Sequence, residues 1–376
     1  MKFLYITTID VTMGFFKNLI KRLIEDGHTV DLACNKTGAA VLDYYKDLGC
    51  KISPLSCSRS PLSKSNITAI KEIKALVRDG GYDIVHCHTP IAAACTRLAC
   101  KKFRKQGLRV FYTAHGFHFY RGAPKKNWMI FYPIEKLCAR YTDTLITINH
   151  EDYERACKKF KTHTLYVPGV GVDTEKFKSV SCDRAEKRRE LGIPDDAFLL
   201  LSVGELNENK NHRVIVDSLS KCKDKNIYYI IAGVGTEQEA LLARAKAFGL
   251  EGRVKLLGYR NDVAELCHAA DTFVFPSIRE GLGLAAVEGM CAGLPVIASD
   301  NRGCRDFIGE ENGFLCRTLD SNDFANKIDR LISEPALCKS MGEANREKVE
   351  MFNINTINHM MYEIYGLEER VTTVAK

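Results

Sequence analysis

Two carboxylates eight positions apart, Glu280 and Glu288, carry the most chemically suggestive spacing in this chain, with Gly281 and Gly283 directly after the first. Upstream, Thr272-Phe-Val-Phe275 is an apolar run that reads as a buried strand ending at Pro276. Downstream, Leu284 to Cys291 reads as a helix, stopped by Gly293 with Pro295 behind it. Glu280 is therefore expected on the loop at the carboxyl end of a strand, and Glu288 inside the following helix. The glycines bare the backbone amides where that helix starts. Free amides and the positive end of the helix dipole suit a phosphate. A carboxylate accepts from two vicinal sugar hydroxyls, one on each oxygen. Diphosphate, ribose and hexose together make a nucleotide-sugar. The same residues also fit an ordinary strand–loop–helix turn with two solvated glutamates.

The rest of the chain supplies elements that would hold such a site. Lys2–Thr7, Thr29–Ala33, Asp83–His86, Val110–Thr113 and Thr144–Ile148 read as strands in the first half. Phe15, Phe16, Leu19, Ile20, Leu23 and Ile24 form a helical stripe closed by Gly27. The second half repeats the scheme with strands at Phe198–Val203, Tyr228–Ile231, Val254–Leu257, Thr272–Phe275 and Val296–Ala298, and a helix around Glu237–Phe248. Repeated strand–helix units imply parallel sheets covered on both faces. Val167-Pro-Gly-Val-Gly-Val-Asp173 reads as a linker between two domains, for which 376 residues suffice.

Composition narrows the function. No apolar run reaches the roughly eighteen residues that span a bilayer, and Asp10 and Thr12 follow the first strand too soon for a signal peptide. A cytoplasmic protein is expected. The fifteen cysteines include no Cys-x2-Cys pair, so they read as small buried hydrophobes rather than a zinc or redox site. The net charge of +7 is uneven: residues 1–170 hold 27 Lys and Arg against 14 Asp and Glu, and the remainder holds 27 against 33. A basic first half suits an anionic partner. Nucleic acid is not expected, because no stacking motif accompanies the charge. The turn Thr7–Gly14 lacks the G-x-G-x-x-G of a nicotinamide dehydrogenase.

The stretch from Pro276 to Pro295 resembles the glutamate-x7-glutamate signature of glycosyltransferase family 4, retaining enzymes of GT-B fold, and the likeness covers nearly the whole chain. It implies an α/β protein of two Rossmann-like domains facing across a cleft. Residues 1–170 would form the acceptor side, 174–352 the nucleotide-sugar side, and 353–376 a C-terminal helix crossing back to the first domain. By the resemblance, Glu288 holds the ribose and Glu280 the donor sugar, with Ser277, Gly281, Leu282, Gly283 and Leu284 in the same donor loop. The family carries an arginine and a lysine five apart after the first strand of the second domain. Here the lysine is Lys210, beyond Gly204, but the arginine's place holds Glu205. A carboxylate facing diphosphate would be repelled. Glu205 must turn away, bind sugar hydroxyls, or be offset by Arg279, Arg302 or Arg305.

Gly233-Val-Gly235 resembles a nucleotide-surrounding loop, although Gln238 replaces the third glycine of a dinucleotide fingerprint. Gly258–Val263 resembles the base-binding loop, where Arg260 either stacks on the base or is simply exposed. His115, in Thr113-Ala-His-Gly-Phe-His, resembles the family histidine near the donor sugar. Read alone, it is a packed histidine among aromatics. His118 is a second candidate, and Val-His-Cys-His would bury His86 and bring His88 nearer the cleft. Gly14 is what remains of a glycine-rich turn.

The expected activity is transfer of a hexose or N-acetylhexosamine from a UDP-sugar to a polyprenyl-diphosphate-linked sugar in bacterial capsular or exopolysaccharide synthesis. It would use His115, Glu280 and Lys210 and need no metal or cofactor. A nucleotide-sugar epimerase and a non-catalytic donor-binding subunit of a polysaccharide assembly complex are the alternatives. Arg97–Arg109 and Lys125–Tyr132, with the single Trp, would dock peripherally on an anionic membrane surface at the inner face of the cell membrane.

Overall fold

The computed structural model describes residues 1–367. The chain divides into two compact units, one of residues 1–170 joined by 357 onward, the other of residues 171–356.

Unit 1 is built on seven parallel strands: β1 (Lys2–Ile9), β2 (Thr29–Asn35), β3 (Ile52–Pro54), β4 (Ile84–His88), β5 (Arg109–Ala114), β6 (Thr144–Thr147) and β7 (His163–Tyr166), ordered β3-β2-β1-β4-β5-β6-β7. Its strands are apolar on both faces, as a doubly covered sheet requires. Along β1, Leu4 and Ile6 enter one core cluster and Phe3 and Tyr5 the other. The last helix, Ile354–Tyr365, places Ile357, Met361, Tyr362 and Tyr365 in that second cluster. The remainder of the expected C-terminal segment, 368–376, lies outside the described residues.

Unit 2 has six parallel strands: β8 (Phe198–Val203), β9 (Ile227–Ala232), β10 (Val254–Gly258), β11 (Thr272–Phe275), β12 (Val296–Ser299) and β13 (Gly313–Cys316), ordered β10-β9-β8-β11-β12-β13. In each sheet the strand order reverses beside its first strand, between β1 and β4 and between β8 and β11. Loops leaving the carboxyl ends of the strands diverge there, which is where such sheets bind ligands.

Three strands escaped the sequence reading: β3, β7 and β13. They are three or four residues long and lie at sheet edges, too short to show a periodic signal. The stripe at Phe15–Ile24 also differs: a 3-10 segment, Asp10–Phe16, precedes the helix Lys17–Glu25. All fifteen cysteines are free, and twelve are buried.

Candidate functional site

In unit 2 the loops after β8 and β11 flank the strand-order reversal, and they bring Lys210 and Glu280 together. Lys210 Nζ lies 2.7 Å from Glu280 Oε1 and 5.0 Å from the centre of the Phe275 ring. Asparagines that the sequence reading left unassigned hold the two loops in register. Ile278 N donates to Asn209 O at 2.7 Å, and Asn209 Nδ2 donates to Arg279 O at 3.0 Å. Asn211, held at φ 53, donates through Nδ2 to Pro276 O and Thr318 O. A third loop is tied in by Asn301, whose Nδ2 donates to Ser277 O at 3.0 Å. Ser277 is fully buried and its hydroxyl has no partner among the described residues. The repeated Asn in Leu-Asn-Glu-Asn-Lys-Asn was the available signal, since Asn alone combines αL tolerance with an amide that reaches neighbouring carbonyls.

The glycines after β8 and β9 serve close backbone approach. A Cβ on Gly233 would lie 1.8 Å from Gly204 O, and one on Gly235 would lie 2.3 Å from Leu206 O. The two loops therefore touch main chain to main chain. Gly14 differs: it is exposed, and a Cβ there would meet only Val41, at 4.0 Å.

The helix Leu284–Cys291 begins at Gly283, φ +115, with no side chain capping its first amides. Glu288 lies one turn beyond Leu284. Its carboxyl is largely buried and has no hydrogen-bond or ion-pair partner among the described residues. Burial pushes its pKa up to about 7, and the Lys176 ammonium offsets part of that rise. An unpaired, half-buried carboxyl is costly unless a ligand completes it.

Glu205 is exposed, so the position of the missing arginine turns to solvent. Of its three candidate substitutes, Arg302 is buried, with Nε 3.4 Å from Glu280 O. Arg305 is exposed and paired with Asp300 at 2.5 Å, and Arg279 is exposed. Arg302 is therefore the candidate placed beside the Lys210–Glu280 pair. The expectation that Arg260 is simply exposed is corrected: the side chain is 26% exposed and ion-paired. Its guanidinium binds Asp262 and Glu190, and Lys187 joins the same cluster.

In unit 1, His86, His88 and His115 cluster at the carboxyl ends of β4 and β5. His86 Nε2 is 2.8 Å from Thr113 Oγ1 and its Nδ1 is 2.5 Å from Tyr365 OH, which in turn meets Tyr5 OH at 2.6 Å. His88 Nδ1 is 3.2 Å from His115 Nε2. His88 is as buried as His86, at 2% and 1% exposure, which corrects the expectation that it lies nearer to open space. Burial pushes His115 down to about 4 and His86 to about 3, and holds His88 well below the usual histidine value, so all three are neutral at pH 7. His118 stands apart, its ring 4.4 Å from that of Phe131. The loop after β1 is closed by an internal anion: the buried Asp10 carboxylate accepts from the amides of Thr37, Gly38 and Ala39 at 2.6–3.1 Å. Among the described residues no cluster of three or more His, Cys, Asp or Glu is placed to hold a metal.

Comparison with known proteins identifies the family and the fold. The model of Glycosyltransferase Family 4 matches residues 15–176, and that of Glycosyl transferases group 1 matches residues 183–348. EpsD of Bacillus subtilis, named as a glycosyltransferase, is 38% identical over 97% of this chain and 96% of its own. The UDP-Gal:alpha-D-GlcNAc-diphosphoundecaprenol alpha-1,3-galactosyltransferase of Escherichia coli is 29% identical over 86% of this chain and 85% of its own. Among solved structures, Anabaena HepE in complex with UDP has a TM-score of 0.78 at 21% identity, covering 97% of this chain and 100% of that one. WaaG, a glycosyltransferase involved in lipopolysaccharide biosynthesis, has a TM-score of 0.73 at 16% identity, covering 96% and 98%. At these identities the structures speak for the fold, which is GT-B.

Proposed function

We propose, from the premise that this chain belongs to glycosyltransferase family 4, that it moves a hexose or N-acetylhexosamine from a UDP-sugar to a polyprenyl-diphosphate-linked sugar, with retention of configuration and without a metal. The observation that carries this reading is Glu288: a largely buried carboxyl with no hydrogen-bond or ion-pair partner among the described residues, in a helix whose uncapped start adjoins the Lys210–Glu280 pair. Two ribose hydroxyls would complete Glu288, and the diphosphate would meet the first helix amides and Lys210. Lys210 and Glu280 pair with each other, and a donor offers each a new partner: phosphate for the ammonium, sugar hydroxyls for the carboxylate. The printed name of the Escherichia coli relative supports the choice of donor and lipid-linked acceptor. So does that of the N,N'-diacetylbacillosaminyl-diphospho-undecaprenol alpha-1,3-N-acetylgalactosaminyltransferase of Campylobacter jejuni, 24% identical over 85% of this chain.

The chemistry is a same-face displacement. The bond from the anomeric carbon to the diphosphate breaks, the acceptor oxygen bonds to that carbon, and its proton passes to the leaving diphosphate. Lys210 and the amides at Gly281–Gly283 stabilise the charge that develops there. Glu280, Glu288 and His115 position the sugar and the nucleotide.

The test offers UDP-glucose, UDP-galactose, UDP-GlcNAc and UDP-GalNAc, each with and without a polyprenyl-diphosphate-GlcNAc acceptor, in EDTA. An α-linked lipid product from one donor is expected. A new nucleotide-sugar in the donor-only reaction would make the chain an epimerase. Binding without turnover in any arm would make it a donor-binding subunit.

Membrane docking extends the same reading. No helix among the described residues is long and apolar enough to cross a membrane. Two neighbouring helices, Pro90–Cys100 and Lys125–Cys138, carry exposed Leu98, Met129 and Leu137, with exposed Lys101, Lys102, Lys125 and Lys126 at or just beyond their ends. The buried Arg97–Glu135 pair, at 2.8 Å, ties these helices together. Trp128 takes a different part from the one expected, being half-buried beside Phe119 and Tyr132. Each surface lysine contributes about 1 kcal/mol toward an anionic bilayer. Reversing these four lysines to Glu is expected to abolish co-sedimentation with phosphatidylglycerol vesicles at low salt. Unchanged binding would remove this surface from the proposal.

A further inference from the structure

The sequence reading set His88 nearer the cleft than His86. The structure buries both, and the way His88 is held gives it a task. β4 and β5 run in register with His86 opposite Phe111 and His88 opposite Thr113. Two rungs therefore cross between these strands. The lower rung, His86 to Thr113, is satisfied at both ring nitrogens, by Thr113 and by Tyr365. The upper rung, His88 Nδ1 to His115 Nε2, is satisfied on one side only. His88 Nε2 is buried and has no partner among the described residues.

The His88 ring has little freedom. It stacks on Phe16 with centroids 4.1 Å apart and lies 4.2 Å from the His86 ring. Beside it is a cavity of about 30 Å³, lined by Phe16, Leu19, Val167, Ile357 and Met361, with room for water. A fully apolar ring would fill this environment without leaving a polar atom unpaired. What the imidazole adds is the bond to His115. His115 keeps a partly exposed edge, and its Nδ1 has no partner among the described residues.

We propose that His88 is a positioning residue: it grips His115 by Nε2, so that His115 presents Nδ1 to the transferred sugar or to the leaving phosphate. The proposal rests on the assignment of His115 to the donor sugar. Burial keeps both rings neutral, so the pair holds a neutral hydrogen bond rather than a charge.

His88→Phe keeps the stack on Phe16 and cannot bond His115. His88→Asn keeps an amide near the place of Nδ1. With whichever of the four UDP-sugars the wild type turns over fastest, His88→Phe is expected to lower kcat by about 10²-fold, the scale of a small misplacement of a positioned group. The KM for that donor should stay near the wild-type value, and His88→Asn should recover most of the loss. Ring-nitrogen NMR supplies a readout independent of turnover. The wild type should show His115 in one tautomer with Nε2 hydrogen-bonded, and His88→Phe should show a mixture, the signal being assigned with His115→Gln. A folded His88→Phe protein with wild-type kcat overturns the proposal, and so does an unchanged His115 tautomer. A wild type that transfers no sugar sinks the functional reading instead, and the NMR comparison still decides whether His88 holds His115.

Discussion

Lys210→Ala is expected to lower kcat for glycosyl transfer by about 10²–10³-fold, the usual cost of removing one preorganised group that faces developing charge. Lys210 Nζ sits 2.7 Å from Glu280 Oε1 on loops held together by Asn209 and Asn211. The cation is thus placed before any donor arrives. Its removal also leaves the Glu280 carboxylate uncompensated where the diphosphate would bind, so donor affinity should fall along with kcat. Fold stability should change little, because a pair with side chains 22% and 17% exposed is worth about 1 kcal/mol or less. Lys210→Arg should rescue poorly. The lysine stem already comes within 3.3 Å of where a Cβ on Gly204 would stand, and a planar guanidinium does not retrace that path. Glu280→Gln and the double variant complete a cycle. If the two residues act on one donor, their losses should be far from additive. A kcat for Lys210→Ala close to that of the wild type, with the protein folded, would remove Lys210 from the reaction.

Glu288→Gln should separate binding from stability. In the folded chain this carboxyl is raised to about 7, mainly by burial. An unfolded glutamate releases its proton near pH 4.3. Between these values the folded state binds more protons than the unfolded state, so stability falls as pH rises through that window. Glutamine carries no such penalty. The variant should therefore match the wild type near pH 4 and exceed it at pH 8 by up to about 4 kcal/mol, read as a higher Tm. Donor binding should move the other way. Two hydroxyls donate to the carboxylate form, so wild-type affinity for UDP should rise as pH climbs toward 8, with protons released at pH 6.5. In Glu288→Gln the affinity should be about 10–100-fold weaker and flat with pH, the loss expected when hydrogen bonds to a charged group are removed. Calorimetry in two buffers of different ionisation enthalpy measures both effects. Wild-type binding that releases no protons would falsify the ribose assignment.

Much of this was legible in the residues. The long apolar runs named ten of the thirteen strands, and Gly283 and Gly293 bracketed the helix that carries Glu288. What sequence could not show was adjacency created by strand order. Lys210 and Glu280 are 70 positions apart and meet because β8 lies beside β11. The pairing of Arg260 was hidden for the same reason, since one partner, Glu190, comes from 70 positions upstream. The staples Asn209, Asn211 and Asn301 bind carbonyls, and a carbonyl has the same identity at every position. Asp10 looked like a polar interruption after a strand. Its function as the anion inside a turn became visible only once Thr37, Gly38 and Ala39 closed around it.

The bond between Tyr5 and Tyr365 joins residues 360 positions apart, and that distance is also a delay during synthesis. At about 5–20 residues per second, roughly 20–70 s separate the emergence of the first strand from that of the helix that covers it. For that interval the aromatic face of Phe3 and Tyr5 lacks its cover, and a nascent chain stalled anywhere in the second half cannot finish the first. Completion of the N-terminal core thus waits for synthesis to pass Tyr365. Fragments ending before Ile357 should engage holdase chaperones or be cleared by proteases rather than persist as a free first unit.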